Sequence, residues 1–507
     1  METLQRSQHL HTIQRESDVA VYHKLYGNLS LLDSDAMALL DRFGQPTAVQ
    51  TTSQRELDLI DELRDRMFLV PAGVDERQYV EEDKRFRADN LESGYLLKGI
   101  QLVLTNDCNL GCSYCFQETI QTQPTVQNSE PGGLRRMHLP VVSAAPPAAR
   151  TGSCGSAGAK EVATRTEVKR MPPETAISTV RHAAETLRKN GGAALSVEFF
   201  GGEPLVNWPT IEAVLNEFGS GLDYDWGDRN LPPVQLYYSI TTNATLVTDE
   251  IAKKLRAHNV TVTVSFDSVR NVNRTTKRGT SADALIMGGL EILARHDSIL
   301  TFNSVVSVSN VSELDAEGLL QTAVQCKVRS IGVILDLDVK PYEDRDAMDR
   351  VVEAIMNICT RAKLYGIPVT GYWHMIYEQI TGQQALNLQK GYKTCAAEGC
   401  KLSFEPNGDV TACKTTEHSI GNASQLGEVF KTSWYRISAM KAYETTPMCR
   451  GCMVEGFCSG LCMGTLQKTY GNIDTIVAPA CEVYRKVTER LIRALPERSA
   501  AELERSK

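Results

Sequence analysis

From residue 98 onward the apolar positions fall into short continuous runs separated by amphipathic stretches. The runs GIQLVLT (99–105), LSVEFF (195–200), VQLYYSITTN (234–243), VTVTVSF (260–266), LTFNSVVSV (300–308) and RSIGVILD (329–336) are rich in β-branched residues and nearly uninterrupted. Parallel strands buried on both faces read this way, whereas a half-exposed sheet alternates. Segments between and after them, such as ETAISTVRHAAETLRKN, TDEIAKKLRAH and RDAMDRVVEAIMNICTRAKLYG, repeat apolar residues at helical spacing. Six strand–helix units in series predict an α/β fold, a partial (β/α)6 barrel of the TIM type over residues 96–345, built with right-handed crossovers.

The flanks read differently. Within residues 1–95, VAVYHKL (19–25) is strand-like, Gly27-Asn28 is a turn, and 31–44 and 53–70 are amphipathic helices with Asp33 or Ser34 and Ser53 as candidate N-caps. This block resembles a small winged-helix unit; the alternative is a structural extension of the main domain. Residues 119–172, rich in Pro, Gly, Ser and Ala, predict a flexible insertion at the barrel mouth, with Cys154 incidental. A helical bridge is expected over 346–390 and a charged helix or tail over 486–507. Between them, residues 391–485 lose regular periodicity, and eight of the 14 cysteines lie between 395 and 481. Too little pattern remains there for an ordinary core, so metal is expected to supply much of the folding energy. Cys326 and Cys359 read as buried small hydrophobes. Trp373 reads as core and His374 as a helix-face residue.

Composition narrows the function classes. The 507 residues are 42% hydrophobic and 23% charged, which suits a globular protein of two to four domains. The formal net charge of −8 argues against a nucleic-acid partner held through phosphates. No run of about 20 apolar residues spans a membrane, and the polar start METLQRSQHLHTIQRESD lacks an apolar signal core. A cytoplasmic location is expected, and clustered cysteines in that reducing compartment are metal ligands before they are disulfides.

In TNDCNLGCSYCFQE (105–118), Cys108, Cys112 and Cys115 follow the first barrel strand, at the end where β/α enzymes place their chemistry. Three thiolates can hold three irons of a cubane and leave the fourth open, with Tyr114 as an aromatic wall. A zinc site is the alternative reading of these residues. CNLGCSYC resembles the signature of the radical S-adenosylmethionine (radical SAM) superfamily. That resemblance implies a 4Fe–4S cluster whose open iron is chelated by SAM. It also implies reductive cleavage of SAM to a 5′-deoxyadenosyl radical that abstracts hydrogen from substrate. Further segments come in the family's order. FFGGEP (199–204) resembles the GGEP segment and implies Gly201, Gly202 and Glu203 as cofactor contacts. SITTNAT (239–245) resembles the TNG segment, with Ala244 in place of Gly. SFDS (265–268) resembles SLDG, with Ser268 in place of Gly. Thr242, Asn243, Ser265, Asp267 and Arg274 become candidate SAM or substrate contacts, with Arg278, Asn303 and Ser304 behind them.

The C-terminal cysteines, including CRGCMVEGFCSGLC (449–462), resemble the SPASM domain. The resemblance implies two auxiliary 4Fe–4S clusters. Cys395, Cys400, Cys413 and Cys462 would hold one, and Cys449, Cys452, Cys458 and Cys481 the other. Two zinc ribbons could use the same eight residues. Three 4Fe–4S clusters and SAM are thus the expected cofactors. Radical SAM–SPASM enzymes largely modify peptides and proteins, so the expectation is an oxidoreductase that cross-links a ribosomally made precursor peptide. The N-terminal block would grip a leader peptide, and ferredoxin or flavodoxin would donate electrons. Two alternatives stand beside it: formylglycine formation of the sulfatase-maturase type, and a non-catalytic iron–sulfur scaffold. Sulfatase maturases carry an Asp directly after the equivalent of Cys413; Lys414 stands there. No catalytic acid or base is assigned.

Overall fold

The computed structural model describes residues 2–51, 53–115, 170–268, 274–312, 314–336, 343–382, 395, 398–416, 418–443 and 449–496. The N-terminal block comprises β1 (Thr3–Arg6), β2 (Leu10–Gln14), β3 (Val19–His23), β4 (Gly27–Leu32), α1 (Ser34–Arg42), β5 (Thr47–Ala48), α2 (Gln54–Asp65), β6 (Leu69–Pro71) and α3 (Gln78–Asn90). It forms two small antiparallel sheets, ordered β5-β1-β6 and β2-β3-β4. Asp33 caps α1 by accepting from the Ala36 N–H at 2.9 Å, while Ser53 occupies the cap position of α2 without a side-chain bond. Strand β3 shows the two-residue period of a sheet. Val21 packs into a small core with Leu4, Leu40 and Phe68, and Ala20 and Tyr22 face the main core.

Two features of this block differ from expectation. Strands β1 and β2 lie in the polar N-terminal stretch, which carries little apolar signal. The helix expected over 53–70 stops at Asp65. Met67 takes a left-handed φ of +61°, and the Phe68 N–H closes onto the Leu63 carbonyl at 2.7 Å. Leu69–Pro71 is then free to pair with β1.

Next come β7 (Gly99–Val103), α4 (Pro173–Lys189), β8 (Ala194–Phe200), α5 (Trp208–Phe218), β9 (Gln235–Thr242), α6 (Asp249–Ala257), β10 (Thr261–Ser265), α7 (Asp283–Arg295), β11 (Ile299–Val306), α8 (Ala316–Gln325), β12 (Ile331–Leu335) and α9 (Arg345–Tyr365). The six strands are parallel and neighbour one another in chain order, as the apolar runs predict. Pro173 opens α4, where its missing N–H costs nothing, and Thr248, Asp315 and Asp344 cap α6, α8 and α9.

The barrel stays open. Beyond β12 lie β13 (Val369–Thr370), also parallel, and α10 (Tyr372–Ile380), so the bridge expected over 346–390 contributes the sixth barrel helix and another strand. On the other edge β14 (Lys401–Phe404) pairs parallel with β7 and leads into antiparallel β15 (Asp409–Thr411) and β16 (Ser419–Asn422). The chain ends with α11 (Ser433–Met440), α12 (Met463–Tyr470) and α13 (Ala478–Arg493).

The expectation of little ordinary core beyond residue 390 is corrected here. Leu402, Phe404, Val410, Tyr435, Phe457 and Val487 are at 0% exposure and belong to the same apolar cluster as the barrel strands. Strands β14 to β16, three or four residues each, are too short to show a period, which hid the Leu402, Phe404 and Val410 part of this core in the sequence.

Cys326, Cys359 and Trp373 are buried in the core, and His374 is half-buried on α10 with Glu378 3.3 Å away. Most of the insertion expected over 119–172, with Cys154, lies outside the described residues, as does the tail beyond 496. Among the described residues no helix is long and apolar enough to cross a membrane.

Candidate active site

The loop after β7 carries Cys108, Cys112 and Cys115 to the C-terminal end of the barrel, and all three line a cavity of about 310 Å³. Burial, then the neighbouring Glu203, Cys112 and Cys115, push the Cys108 thiol up to about 11, against a hydrogen bond from the Leu110 N–H at 3.4 Å. The Asn243 side-chain amide lies 3.8 Å from the same sulfur and donates to Asn109 Oδ1 at 2.9 Å.

The glycines after β8 make this loop possible. Gly201 has φ +152°, and a Cβ on it would lie 2.5 Å from the Thr105 carbonyl. A Cβ on Gly202 would lie 2.4 Å from the Asp107 carbonyl. Without side chains, the Gly202 N–H donates to Thr105 at 2.8 Å and the Glu203 N–H to Asp107 at 3.0 Å, fastening the root of the cysteine loop. Both glycines also line the cavity. Glu203, 1% exposed, accepts from Thr242 Oγ1 and the Asn243 N–H at 2.7 Å each and from the Leu205 N–H at 3.0 Å. Burial outweighs these bonds and raises its carboxyl to about 7. Ala244, in place of the family's Gly, adopts φ +62°.

Asp267 stands behind the wall rather than on it. It accepts from Tyr114 Oη, from Arg274 Nε and Nη2 at 3.2 Å each, and from the Val305 N–H at 2.8 Å. The Arg274 guanidinium also lies 5.3 Å from the Tyr114 ring centroid. This knot ties the cysteine loop to β10 and β11, and Arg274 and Tyr114 reach the cavity wall. Ser265 and Asn303 line the cavity as well. Ser304 is fully buried without a side-chain partner, and Arg278 is exposed.

The same cavity is lined by Cys395, Cys413 and Cys462, with Phe200, Val305, Leu335, Leu461 and Met463 as apolar walls. Thr415 Oγ1 sits between two of the thiols, 3.5 Å from Cys413 Sγ and 3.3 Å from Cys462 Sγ. Lys414 Nζ is 3.4 Å from the Phe200 ring centroid. Burial lowers its pKa, opposed by Glu198 and Cys413. Cys400 lies outside this lining, within hydrogen-bond reach of Arg87. Cys449, Cys452, Cys458 and Cys481 line a second cavity of about 160 Å³, which shares Ser459, Gly460 and Leu461 with the first. There burial, with Cys458, Cys449 and Cys452 close by, pushes the Cys481 thiol up to about 12.

The donor set fits polynuclear iron–sulfur sites: soft thiols in groups of three and four, supported by amide and hydroxyl donors. Among the described residues no three His, Cys, Asp or Glu side chains converge as ligands of a single ion. A cubane presents a separate corner to each thiolate and needs no such convergence. Sequence reasoning missed Phe200, Asp336, Thr415 and Tyr484 on the cavity wall: the first two lie within FFGGEP and RSIGVILD but were not singled out there, and no motif marks the other two.

Comparison with known proteins places these features. Residues 102–321 match the model of the Radical SAM superfamily. The chain is 30% identical over 497 residues to the radical SAM cyclopropyl synthase TigE of Paramaledivibacter caminithermalis, covering 96% of this chain and 95% of that protein. The solved structure of anSMEcpe with bound AdoMet superposes with a TM-score of 0.55 at 17% identity, over 78% of this chain and 98% of that one. The same protein with AdoMet and the Cp18Cys peptide gives 0.55 at 16%, over 78% and 97%. With a match to that synthase along nearly its whole length, the chain belongs to the radical SAM superfamily.

Proposed function

We propose that this radical SAM enzyme acts on a peptide, joining carbons of a ribosomally made precursor into a ring or side-chain cross-link. The product would be two hydrogen atoms lighter than the substrate. The shared cavity carries this reading, because both Cys108, Cys112 and Cys115 and the C-terminal Cys395, Cys413 and Cys462 line it. Two further findings support it. A relative over 96% of the chain is a cyclopropyl synthase, and the fold is shared with a protein solved with AdoMet and a peptide.

In this reading Cys108, Cys112 and Cys115 hold the SAM-binding 4Fe–4S cluster. Cys395, Cys400, Cys413 and Cys462 hold a first auxiliary cluster, and Cys449, Cys452, Cys458 and Cys481 a second. When bound, these groups supply a hydrogen-abstracting radical and take up the electron left as the new bond forms. The chain's own residues prepare the site. The Leu110 N–H and Asn243 amide support the Cys108 sulfur. Glu203 fixes the 242–243 turn. Gly201, Gly202, Thr242, Asn243, Ser265 and Arg274 face the cofactor side of the cavity, and Asp267 acts through Arg274. Phe200, Val305, Leu335 and Met463 keep water from a carbon radical. The N-terminal block, winged-helix-like in this reading, takes the leader peptide by strand addition, and ferredoxin or flavodoxin supplies electrons.

The formylglycine alternative is less favoured, because the Lys414 ammonium over Phe200 stands where sulfatase maturases carry a carboxylate. The test uses reconstituted enzyme, reductant, SAM and candidate short peptides drawn from neighbouring open reading frames. Expected are 5′-deoxyadenosine and a peptide two hydrogens lighter that does not react with hydrazide. A hydrazide-reactive aldehyde would transfer the assignment to the maturase class. Three clusters with no 5′-deoxyadenosine would make the chain a scaffold.

A further inference from the structure

Helix α3 begins in the N-terminal block and bonds to segments that carry both groups of C-terminal cysteines. Arg77, at its N-cap, donates from Nη2 to Glu455 Oε1 at 2.7 Å. Glu455 is 2% exposed and its other oxygen accepts from the Gly451 N–H at 2.7 Å, inside the turn between Cys449 and Cys452. One turn and a half along, Asp83 accepts from Tyr443 Oη. Near the helix end Arg87 is 2% exposed. Its Nε donates to the Ala439 carbonyl at 3.0 Å and its Nη2 to the Glu398 carbonyl. Its guanidinium lies 5.6 Å from the Tyr443 ring centroid and within hydrogen-bond reach of the Cys400 sulfur.

The turn that Arg87 grips has little freedom. Glu398 N–H bonds to the Cys395 carbonyl at 3.0 Å, and the Cys400 carbonyl accepts from Lys98 and Gly99 at 2.8 and 3.1 Å. Gly399 takes φ +91°, and its carbonyl accepts from Tyr435 Oη at 3.2 Å. A planar cation with several fixed donors suits the task of orienting a carbonyl and a thiolate together.

We infer that Arg87 is a positioning residue for Cys400: it orients the thiolate and places a buried positive charge beside the auxiliary cluster that Cys400 helps to hold. The inference rests on the assignment of Cys400 as a cluster ligand under Proposed function. It extends that reading by making α3 the strut through which the N-terminal block supports both auxiliary sites. A cation beside a thiolate favours the reduced, more negative cluster, and a hydrogen bond to sulfur acts in the same direction.

The test uses the full chain in a Cys108/Cys112/Cys115 triple-alanine background, so that bound iron belongs to the C-terminal cysteines. Iron content, electron paramagnetic resonance and redox titration are read for the background, for Arg87→Met and for Arg87→Lys. Arg87→Met is expected to bind iron with one of two transitions moved to more negative potential and its resonance line shape altered. Arg87→Lys returns the charge without the fork and should move the transition back toward the parent. If Arg87→Met loses iron, the lysine variant decides. Restored iron at near-parent potential supports the inference, and unrestored iron overturns it. Unchanged potential and line shape in an iron-replete Arg87→Met also overturn it while leaving the auxiliary clusters in place. An iron-free background overturns the cluster assignment itself, and this inference with it.

Discussion

Glu203 offers a sharp test of the site's electrostatics. The carboxyl is 1% exposed and accepts three hydrogen bonds, yet burial lifts it from 4.5 to about 7. The folded chain therefore holds this proton more tightly than the unfolded chain. Below pH 4.5 both states are protonated, and the group adds no pH dependence. As pH rises toward 7 the unfolded state releases the proton first, so folding stability falls. At about 1.4 kcal/mol per pH unit, the loss by pH 7 is about 3 kcal/mol. Glu203→Gln cannot titrate. Its amide also turns an N–H toward the Asn243 N–H, a fixed cost of about 1–3 kcal/mol at all pH values. His9 and His23, lowered by burial, titrate over the same range, so the difference between variant and parent isolates Glu203. Urea denaturation of the cluster-free chain from pH 4.5 to 8 should show the variant less stable at the acid end. It should gain about 3 kcal/mol on the parent by pH 7. Parallel profiles for the two proteins would refute the burial argument.

Three substitutions test other parts of the frame. Gly202→Ala pushes a methyl to 2.4 Å from the Asp107 carbonyl; it should cost about 1–3 kcal/mol in thermal denaturation and, if the proposed cluster site is right, lower the iron bound by the reconstituted chain. Ala244→Gly relieves a left-handed φ of +62° and should leave stability equal or higher by up to about 1 kcal/mol, with SAM binding retained by equilibrium dialysis. Phe404→Ala empties a fully buried position on β14 and should cost about 3–5 kcal/mol. Hydrogen exchange should then show faster opening in β7 as well as in the C-terminal strands, because β14 pairs with β7.

The barrel was legible because its strands are buried on both faces: six apolar runs matched β7 to β12 within a residue or two. The turn at Gly201 and Gly202 was legible as a motif but not in its physical role. Each glycine admits a carbonyl of the cysteine loop, a long-range contact that no local pattern encodes. Ala244 shows the opposite case. It departs from the motif while keeping the left-handed backbone that the family's glycine would supply. Asp267 looked like a ligand contact because it ends a strand, but its carboxylate is consumed by Tyr114, Arg274 and Val305.

The cysteine-rich region was misjudged for a reason that bears on how the site works. A region with its own weak core could move independently of the barrel. Instead β14 continues the barrel sheet at the edge of β7, the strand whose following loop carries Cys108, Cys112 and Cys115. Lys401 on β14 reaches Glu198 on β8 at 2.6 Å, and Ser403 on β14 donates to Gln101 on β7 at 2.8 Å. Three neighbouring strands are therefore tied through side chains as well as backbone. Backbone pairing fixes strand spacing at about 4.8 Å, so the C-terminal thiols that follow β14 inherit a set distance from the loop after β7. In the proposed reaction electron transfer and hydrogen abstraction both depend steeply on distance, and a shared sheet would hold it without needing a hinge to close.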